Sequence, residues 1–184
     1  MADLAMAQRR DPLEGRLAAG PGVTVAAAPS CFRMSLRVLP PQVAALSKAL
    51  GVSLPKKPKT SASEGTRTAL WLGPDEWLVI DTGDSDPVAD CAAVKALHSA
   101  VDISHRNTGI VVSGPAWEAA ISAGCPQDLS DDVFPIGAVS RTVYGKVEIV
   151  LWRTGAETFR IECWRSFSDY AFTLLADAAR DAMG

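Results

Sequence analysis

The sequence lacks both an excess of positive charge and any long apolar run. Its 18 lysines and arginines are outnumbered by 21 aspartates and glutamates, which leaves a net charge of −3. Because basic side chains supply most of a protein's affinity for the phosphate backbone, we expect no nucleic-acid partner. No apolar run approaches the ~20 residues of a transmembrane helix, and residues 1–20 lack the continuous apolar block of a secretory signal. The sequence therefore predicts a soluble, cytoplasmic protein with no membrane partner.

Recognisable cofactor and metal motifs are also missing. Neither the Gly-x-Gly-x-x-Gly turn of dinucleotide-binding proteins nor a Gly-x-x-x-x-Gly-Lys-Ser/Thr phosphate loop occurs. The two histidines stand seven residues apart, and the four cysteines form no Cys-x-x-Cys pair: Cys31, Cys91, Cys125 and Cys163. Such spacings give no zinc-ligand set. We predict that this chain holds no cofactor and contains no catalytic, cofactor-binding or metal-binding residue.

Hydrophobic periodicity predicts strands interleaved with helices. Strands are expected over 32–38, 68–72, 77–81, 101–103, 108–112 and 158–163, with two more inside 138–153 joined near Gly145. Helices are expected over 41–51 and 87–99, between Pro115 and Gly124, and from Ser166 as N-cap towards the C-terminus. Because tight turns join several strands, this pattern favours an α+β fold with a largely antiparallel sheet and packed helices.

The first thirty residues show no sustained hydrophobic period and are rich in Ala, Gly and Pro. We predict a flexible N-terminal tail over 1–30 and a single α+β domain over 31–184. The lysine- and proline-containing stretch 52–67 is predicted to be an exposed loop. The C-terminal helix is predicted to bury one face at i, i+3, i+4 spacing: Phe167, Tyr170, Ala171, Leu174, Leu175 and Ala178.

Three residues with catalytic side chains raise the possibility of an activated nucleophile. A thiol, an imidazole and a carboxylate can form one if they converge, and Cys125, His105 and Asp102 supply these groups. The alternative is structural, because Cys125 lies between Gly124 and Pro126 where the backbone must turn. Spacing alone does not establish convergence, so we favour the structural interpretation.

An acidic turn precedes one of the predicted strands. Asp75 and Glu76 stand next to Trp77, and adjacent carboxylates beside an aromatic ring could bind a cation or an amine. We favour the alternative of a solvated turn in which Trp77 anchors the returning strand in the core.

Arginine and tryptophan recur in the C-terminal half. The group is Arg106, Arg153, Arg160, Arg165, Trp152 and Trp164. Alternation along a strand places Arg160 and Glu162 on the face opposite Ile161, so some of these arginines are expected to be solvated. Arg and Trp are also enriched among residues that carry protein–protein binding, so an interface is the other interpretation.

Six short phrases carry a family resemblance. They are LGPDEWL at 72–78, VDISHR at 101–106, VSGP at 112–115, GCPQDL at 124–129, LWR at 151–153 and FRIECWRSF at 159–167. In their order and spacing they resemble the gamma subunit of heterotetrameric sarcosine oxidase, within the aminomethyltransferase-like fold group. The resemblance covers residues 70–184.

This resemblance implies a fold like the folate-binding domain of aminomethyltransferase-like proteins. It also implies a subunit without an active site, assembled with alpha, beta and delta subunits that hold FAD, FMN, NAD and zinc. In that family the complex oxidises the N-methyl group of sarcosine to give glycine and hydrogen peroxide, and passes the one-carbon unit to tetrahydrofolate. Two alternatives stay open: a stand-alone folate-binding protein using Asp75, Glu76 and Asp102, and a cysteine-dependent enzyme centred on Cys125 and His105.

Overall fold

A computed structural model describes residues 10–182, which form two antiparallel sheets with helices packed on them. The strands are β1 (Leu17–Gly20), β2 (Val23–Ala27), β3 (Phe32–Val38), β4 (Ser61–Glu64), β5 (Arg67–Gly73), β6 (Glu76–Asp81), β7 (His98–Asp102), β8 (Asn107–Ser113), β9 (Val139–Tyr144), β10 (Val147–Gly155) and β11 (Thr158–Trp164). The helices are α1 (Val43–Leu50), α2 (Pro87–Ala92), α3 (Trp117–Ser122) and α4 (Ser168–Asp181). The predicted α+β class with largely antiparallel pairing is confirmed.

The two sheets lie face to face with their helices outside. One has six strands in the order β1-β2-β8-β11-β10-β9, and the other has five in the order β4-β5-β6-β3-β7. One core joins the six-stranded sheet to α3 and α4, and a second joins the five-stranded sheet to α1. A third, smaller cluster contains side chains of both sheets, including Leu70, Ile80 and Val150. In the described part of the chain, no helix is long and apolar enough to cross a membrane.

Local sequence determines where helix α1 begins and ends. A 3-10 turn over Pro40–Gln42 leads into it, and Val43, Leu46 and Leu50 all point into the core. Gly51 ends the helix at φ 64°, a left-handed conformation that glycine adopts without a side-chain clash. The predicted helix over 41–51 is confirmed.

The N-terminal hairpin corrects the prediction of a tail. Strand β2 pairs with β8 and so extends the six-stranded sheet, while Leu13, Val23 and Val25 are buried in its core. Apart from Leu17, Val23 and Val25, its two strands consist of Ala, Gly and Thr, so the sequence shows too little hydrophobic alternation to predict them. Gly20 is required because an added Cβ would lie 1.6 Å from the Ala179 carbonyl oxygen of α4. The tail prediction for 1–9 lies outside the described residues, but a tail reaching residue 30 is wrong.

Two predictions for the middle of the chain differ from the structure. Helix α2 ends at Ala92 rather than near 99, because the chain turns there and His98–Asp102 pairs with β3 as a strand. The predicted loop over 52–67 contains β4, and Val52 and Leu54 near its start are buried.

Helix α4 begins at Ser168 after a 3-10 turn, Arg165–Phe167, so Ser166 does not cap it. Its buried face is Ser168, Ala171, Phe172, Leu175, Ala176 and Ala179, which leaves Phe167 and Tyr170 exposed. The small alanines allow the close approach of this helix to β1, and this approach rotates the buried face away from the predicted one.

Candidate functional site

A buried charged network joins the two sheets. Arg33 on β3 donates from Nε to Oε2 of Glu162 at 2.6 Å, and Arg160 donates from Nε to Oε1 of the same carboxylate at 2.7 Å. Glu162 is 2% exposed, and both arginines are buried. Burial alone would lower the pKa of the Arg160 guanidinium, but the Glu162 carboxylate and the Cys31 thiol raise it. Both oxygens of Glu162 are therefore occupied by cations of its own chain.

A second set of ion pairs holds the acidic turn. Glu76 accepts from Nη2 of Arg37 at 2.9 Å and from both terminal nitrogens of Arg141, whose strand β9 belongs to the opposite sheet. Asp75 accepts from Nη1 of Arg37 at 3.3 Å. The hydrogen bond to Glu76 raises the pKa of Arg141. Trp77 is buried and donates from Nε1 to the Pro55 carbonyl oxygen at 2.8 Å. The turn is thus tied into the fold, as the structural interpretation expects.

The space left between these ion pairs is small. It is lined by residues of both sheets, including Glu76, Arg141, Glu162 and Trp164, and its volume is about 40 Å³. A cavity needs about 10–15 Å³ of such space to hold one water, and pockets for drug-sized ligands measure roughly 300–1,000 Å³. The space between the sheets is therefore sufficient for a few water molecules but not for a drug-sized ligand. Larger hollows are open depressions of the surface, such as one of about 280 Å³ between Pro40, Trp71 and Pro74.

The structure does not bring the three suspected catalytic residues together as a nucleophile and its base. Cys125 is buried in the core of the six-stranded sheet, near Tyr144. His105 is exposed in the turn between β7 and β8. Asp102 accepts from the Ser104 backbone N–H at 2.8 Å. Within residues 10–182, no hydrogen bond joins Cys125 to His105, and no cluster of side chains suits a metal ion.

Cysteine chemistry is also disfavoured at Cys163. Burial raises the pKa of its thiol to about 12, so the thiolate needed for nucleophilic attack is scarce near neutral pH. Cys91 is similar, since burial raises the pKa of its thiol to about 11. The prediction that this chain has no catalytic, cofactor-binding or metal-binding residue stays a prediction.

The arginine–tryptophan group separates into buried and exposed members. Arg153 is buried, donates from Nη1 to the Phe134 carbonyl oxygen at 2.9 Å and lies 5.1 Å from the Trp117 ring centroid. Arg160 is buried as well, so it is not among the solvated arginines: the polar face of β11 faces the other sheet instead of water. Arg106 and Arg165 are exposed, as expected for some members of the group.

The exposed members of this group, together with Phe167, form a patch, which we call the aromatic patch: Arg106, Trp164, Arg165 and Phe167. The Arg106 guanidinium lies 5.4 Å from the Trp164 ring centroid, and the Trp164 and Phe167 rings stack with centroids 6.1 Å apart. No ion pair between described residues includes Arg106 or Arg165.

A further buried ion pair lies away from the sheet interface. Arg67 donates from Nε to Oδ2 of Asp81 at 2.9 Å, and its Nη2 lies 2.9 Å from Oδ2 of Asp90. Burial alone would raise the pKa of Asp81. Hydrogen bonds from Ser85, the Gly83 N–H, Thr66 and Arg67 outweigh that effect and lower its pKa to about 2. This network stabilises the end of β6, and nothing in the sequence singled it out.

Comparison with known proteins assigns the chain to a family. The sequence model of the sarcosine oxidase, gamma subunit family matches residues 37–181. The chain is 32% identical over 138 residues to the sarcosine oxidase subunit gamma of Corynebacterium sp. (strain P-1), covering 73% of this chain and 68% of that protein. The subunit gamma of Arthrobacter sp. is 32% identical over 139 residues, with the same coverage of each chain.

This chain belongs to the sarcosine oxidase gamma subunit family. A chain of heterotetrameric sarcosine oxidase from Corynebacterium sp. U-96 superposes with a TM-score of 0.86 at 28% identity, covering 96% of this chain and 97% of that one. The resemblance drawn from the six sequence phrases is confirmed.

The wider fold group is also confirmed. Aminomethyltransferase T of the Bartonella henselae glycine cleavage system matches with a TM-score of 0.60 at 15% identity, covering 93% of this chain and 51% of that protein. At this identity the match shows a shared fold alone.

Proposed function

We propose that this chain is the gamma subunit of a heterotetrameric sarcosine oxidase and has no active site of its own. Its partners would be the alpha, beta and delta subunits, in the cytoplasm. The family membership supports this role, as does a match to nearly the whole length of a chain from a heterotetrameric oxidase. The observation that carries the non-catalytic role is the sheet interface, where arginines occupy the carboxylates and about 40 Å³ remains.

In this proposal the chemistry belongs to the partner subunits. The complex oxidises the N-methyl group of sarcosine to give glycine and hydrogen peroxide, and it passes the one-carbon unit to tetrahydrofolate. FAD, FMN, NAD and zinc are bound by the other chains, so this chain contributes to sarcosine catabolism and one-carbon metabolism by stabilising the assembly. The aromatic patch is the kind of exposed Arg-Trp surface that protein interfaces use.

The folate-binding alternative requires Asp75 and Glu76 to be available to a ligand. Both carboxylates accept hydrogen bonds from Arg37, and Glu76 also binds Arg141. A ligand would have to displace these guanidinium groups and open a space many times larger than the present one. No observation therefore favours tetrahydrofolate binding by this chain alone.

Co-expression with the other three oxidase subunits tests the proposal. We expect the chain to co-purify in equal stoichiometry, while its omission lowers the yield or lifetime of the complex. Titration of this chain with tetrahydrofolate, followed by calorimetry, is expected to show no binding. Saturable binding at one site per chain would instead support the folate-binding alternative.

A further inference from the structure

The outer edge of β7 is one of the four strand edges of the two sheets. The edge strands are β1 and β9 in the six-stranded sheet and β4 and β7 in the five-stranded sheet. Helix α4 packs onto β1 at Gly20. The chain just before β4 meets the chain just before β9, where Thr60 and Ala138 form an antiparallel bridge. Among residues 10–182, β7 pairs with β3 on one side and with no strand on the other.

The register shows which backbone groups face outward. Ile103 donates its N–H to the Arg33 carbonyl oxygen at 2.9 Å, so Ile103 faces β3. Residues of an antiparallel strand alternate between facing the partner and facing away, so Val101 also faces β3. The N–H and C=O groups of His98 and Ala100 therefore point away from the sheet. In the part of the chain that the structure describes, no other backbone group bonds to them.

The sequence of this edge has few of the features that discourage pairing with another strand. Residues 96–101 carry no formal charge, and Leu97 and Val101 are 82% and 51% exposed. Natural sheets protect exposed edges with charges, prolines, bulges or a covering element. Strand β9 carries Arg141 near its middle, whereas the one charged residue of β7, Asp102, is its last. An uncharged, extended segment of another polypeptide would complement it.

We propose that β7 is a docking strand to which another subunit of the oxidase adds an extended, uncharged segment as the sixth strand of this sheet. The proposal rests on the function proposed above. A strand added to a sheet edge binds through main-chain hydrogen bonds, and its apolar side chains gain specificity from Leu97 and Val101.

The size of the edge favours a larger partner over a second copy of this chain. A stable interface buries at least ~1,200 Å² and uses some 20–30 residues on each side. Pairing of the five-residue strand β7 with β7 of a second copy would bury far less. A larger subunit can continue from Val101 across the turn at 104–106 onto the aromatic patch. Arg106, four residues beyond the end of β7, already contacts Trp164.

Two variants test the docking strand in the co-expressed complex. Ala100→Pro removes an outward N–H while leaving the hydrogen bonds to β3 in place, and an edge strand tolerates proline at such a position. Val101→Lys places a charge on the apolar edge. We expect each to weaken association of the chain with the other subunits by about tenfold. The matched control is Val143→Lys on β9, a valine of similar exposure at 41%, which should leave association unchanged.

Hydrogen exchange supplies a readout that does not depend on a variant's folding. In the wild-type complex, the amides of His98 and Ala100 should exchange as slowly as that of Val101, which faces β3. Fast exchange at both positions, together with normal association of Ala100→Pro and Val101→Lys, would overturn the docking strand while leaving the gamma-subunit role intact.

Other outcomes would also overturn the docking proposal. A wild-type chain that fails to co-purify would refute the proposed function as well. If the chain forms a homodimer that Val101→Lys dissociates, a second copy of the chain occupies the β7 edge. If deletion of residues 1–9 speeds hydrogen exchange at the Ala100 amide in the complex, the chain's own N-terminus occupies that edge.

Discussion

Replacing Glu162 by glutamine removes the charge that compensates two buried arginines. Glu162 accepts from Arg33 at 2.6 Å and from Arg160 at 2.7 Å, and all three side chains are buried between the sheets. Breaking a buried ion pair from one side costs about 3–5 kcal/mol, because the remaining charge has lost its partner in a site that is largely shielded from solvent. A glutamine amide can still accept one hydrogen bond, but its NH2 group would face a guanidinium.

Thermal unfolding of the purified chain measures this effect. For a chain of this size, 1 kcal/mol corresponds to a shift of about 2–4 °C, so Glu162→Gln should lower the Tm by roughly 10 °C. The control is Arg37→Gln, which breaks the ion pairs of Arg37 with Asp75 and Glu76; because this arginine side chain is 56% exposed, the loss should cost only about 1 kcal/mol. Equal, small shifts for both variants would refute the assignment of a tightly packed network shielded from solvent.

A second comparison separates charge compensation from overall stabilisation. Replacing all three members with apolar residues, Arg33→Met, Arg160→Met and Glu162→Leu, should be much less damaging than Glu162→Gln alone, because no unpaired charge remains. A triple variant at least as unstable as Glu162→Gln would show that the site requires its polar groups for packing.

Three other predictions concern pH, the suspected catalytic residues and bound groups. The folded-state pKa of Asp81 is lowered from 3.8 to about 2, so this group contributes about 2 kcal/mol of folding stability that is fully present above pH ~4 and is lost as the pH falls towards 2. In urea unfolding measured across this pH range, Asp81→Asn should remove this loss of stability. An unchanged loss would exclude Asp81 as its source. Cys125→Ser and His105→Ala should leave the turnover number of the assembled oxidase nearly unchanged, whereas a direct catalytic role predicts a loss of at least about a hundredfold. The purified chain should be colourless and free of zinc, and a stoichiometric flavin spectrum or metal content would contradict this.

Elements with strong local signals could be predicted from the sequence. Helix α1 combines prolines at its start, apolar residues at helical spacing and Gly51 at its end. The hairpin of β5 and β6 follows from two apolar runs around a Gly-Pro-Asp-Glu turn. In both cases the determinants lie within about ten residues of one another, so no tertiary information is needed.

The N-terminal hairpin could not be predicted in this way. Its strands consist mainly of small residues, and only Val23 and Val25 are buried; β2 pairs with β8, and α4 packs against β1 at Gly20. Tertiary packing, rather than local propensity, makes these residues strands.

The sheet interface was hidden for a different reason. Arg33 and Glu162 are 129 positions apart, and each looks like the polar residue of a half-exposed strand. That alternation predicts one solvated face, but here the second face of each strand meets the other sheet. The alternation therefore could not show that Arg160 binds Glu162 between the sheets.

We propose that this chain acts by association within the oxidase. Sarcosine oxidation and thermal lifetime should therefore be compared for the complex purified with and without this chain. We expect omission to lower the yield or shorten the lifetime of the complex, and adding the chain back to restore both. A stable three-subunit complex with full activity and undiminished thermal lifetime would contradict it.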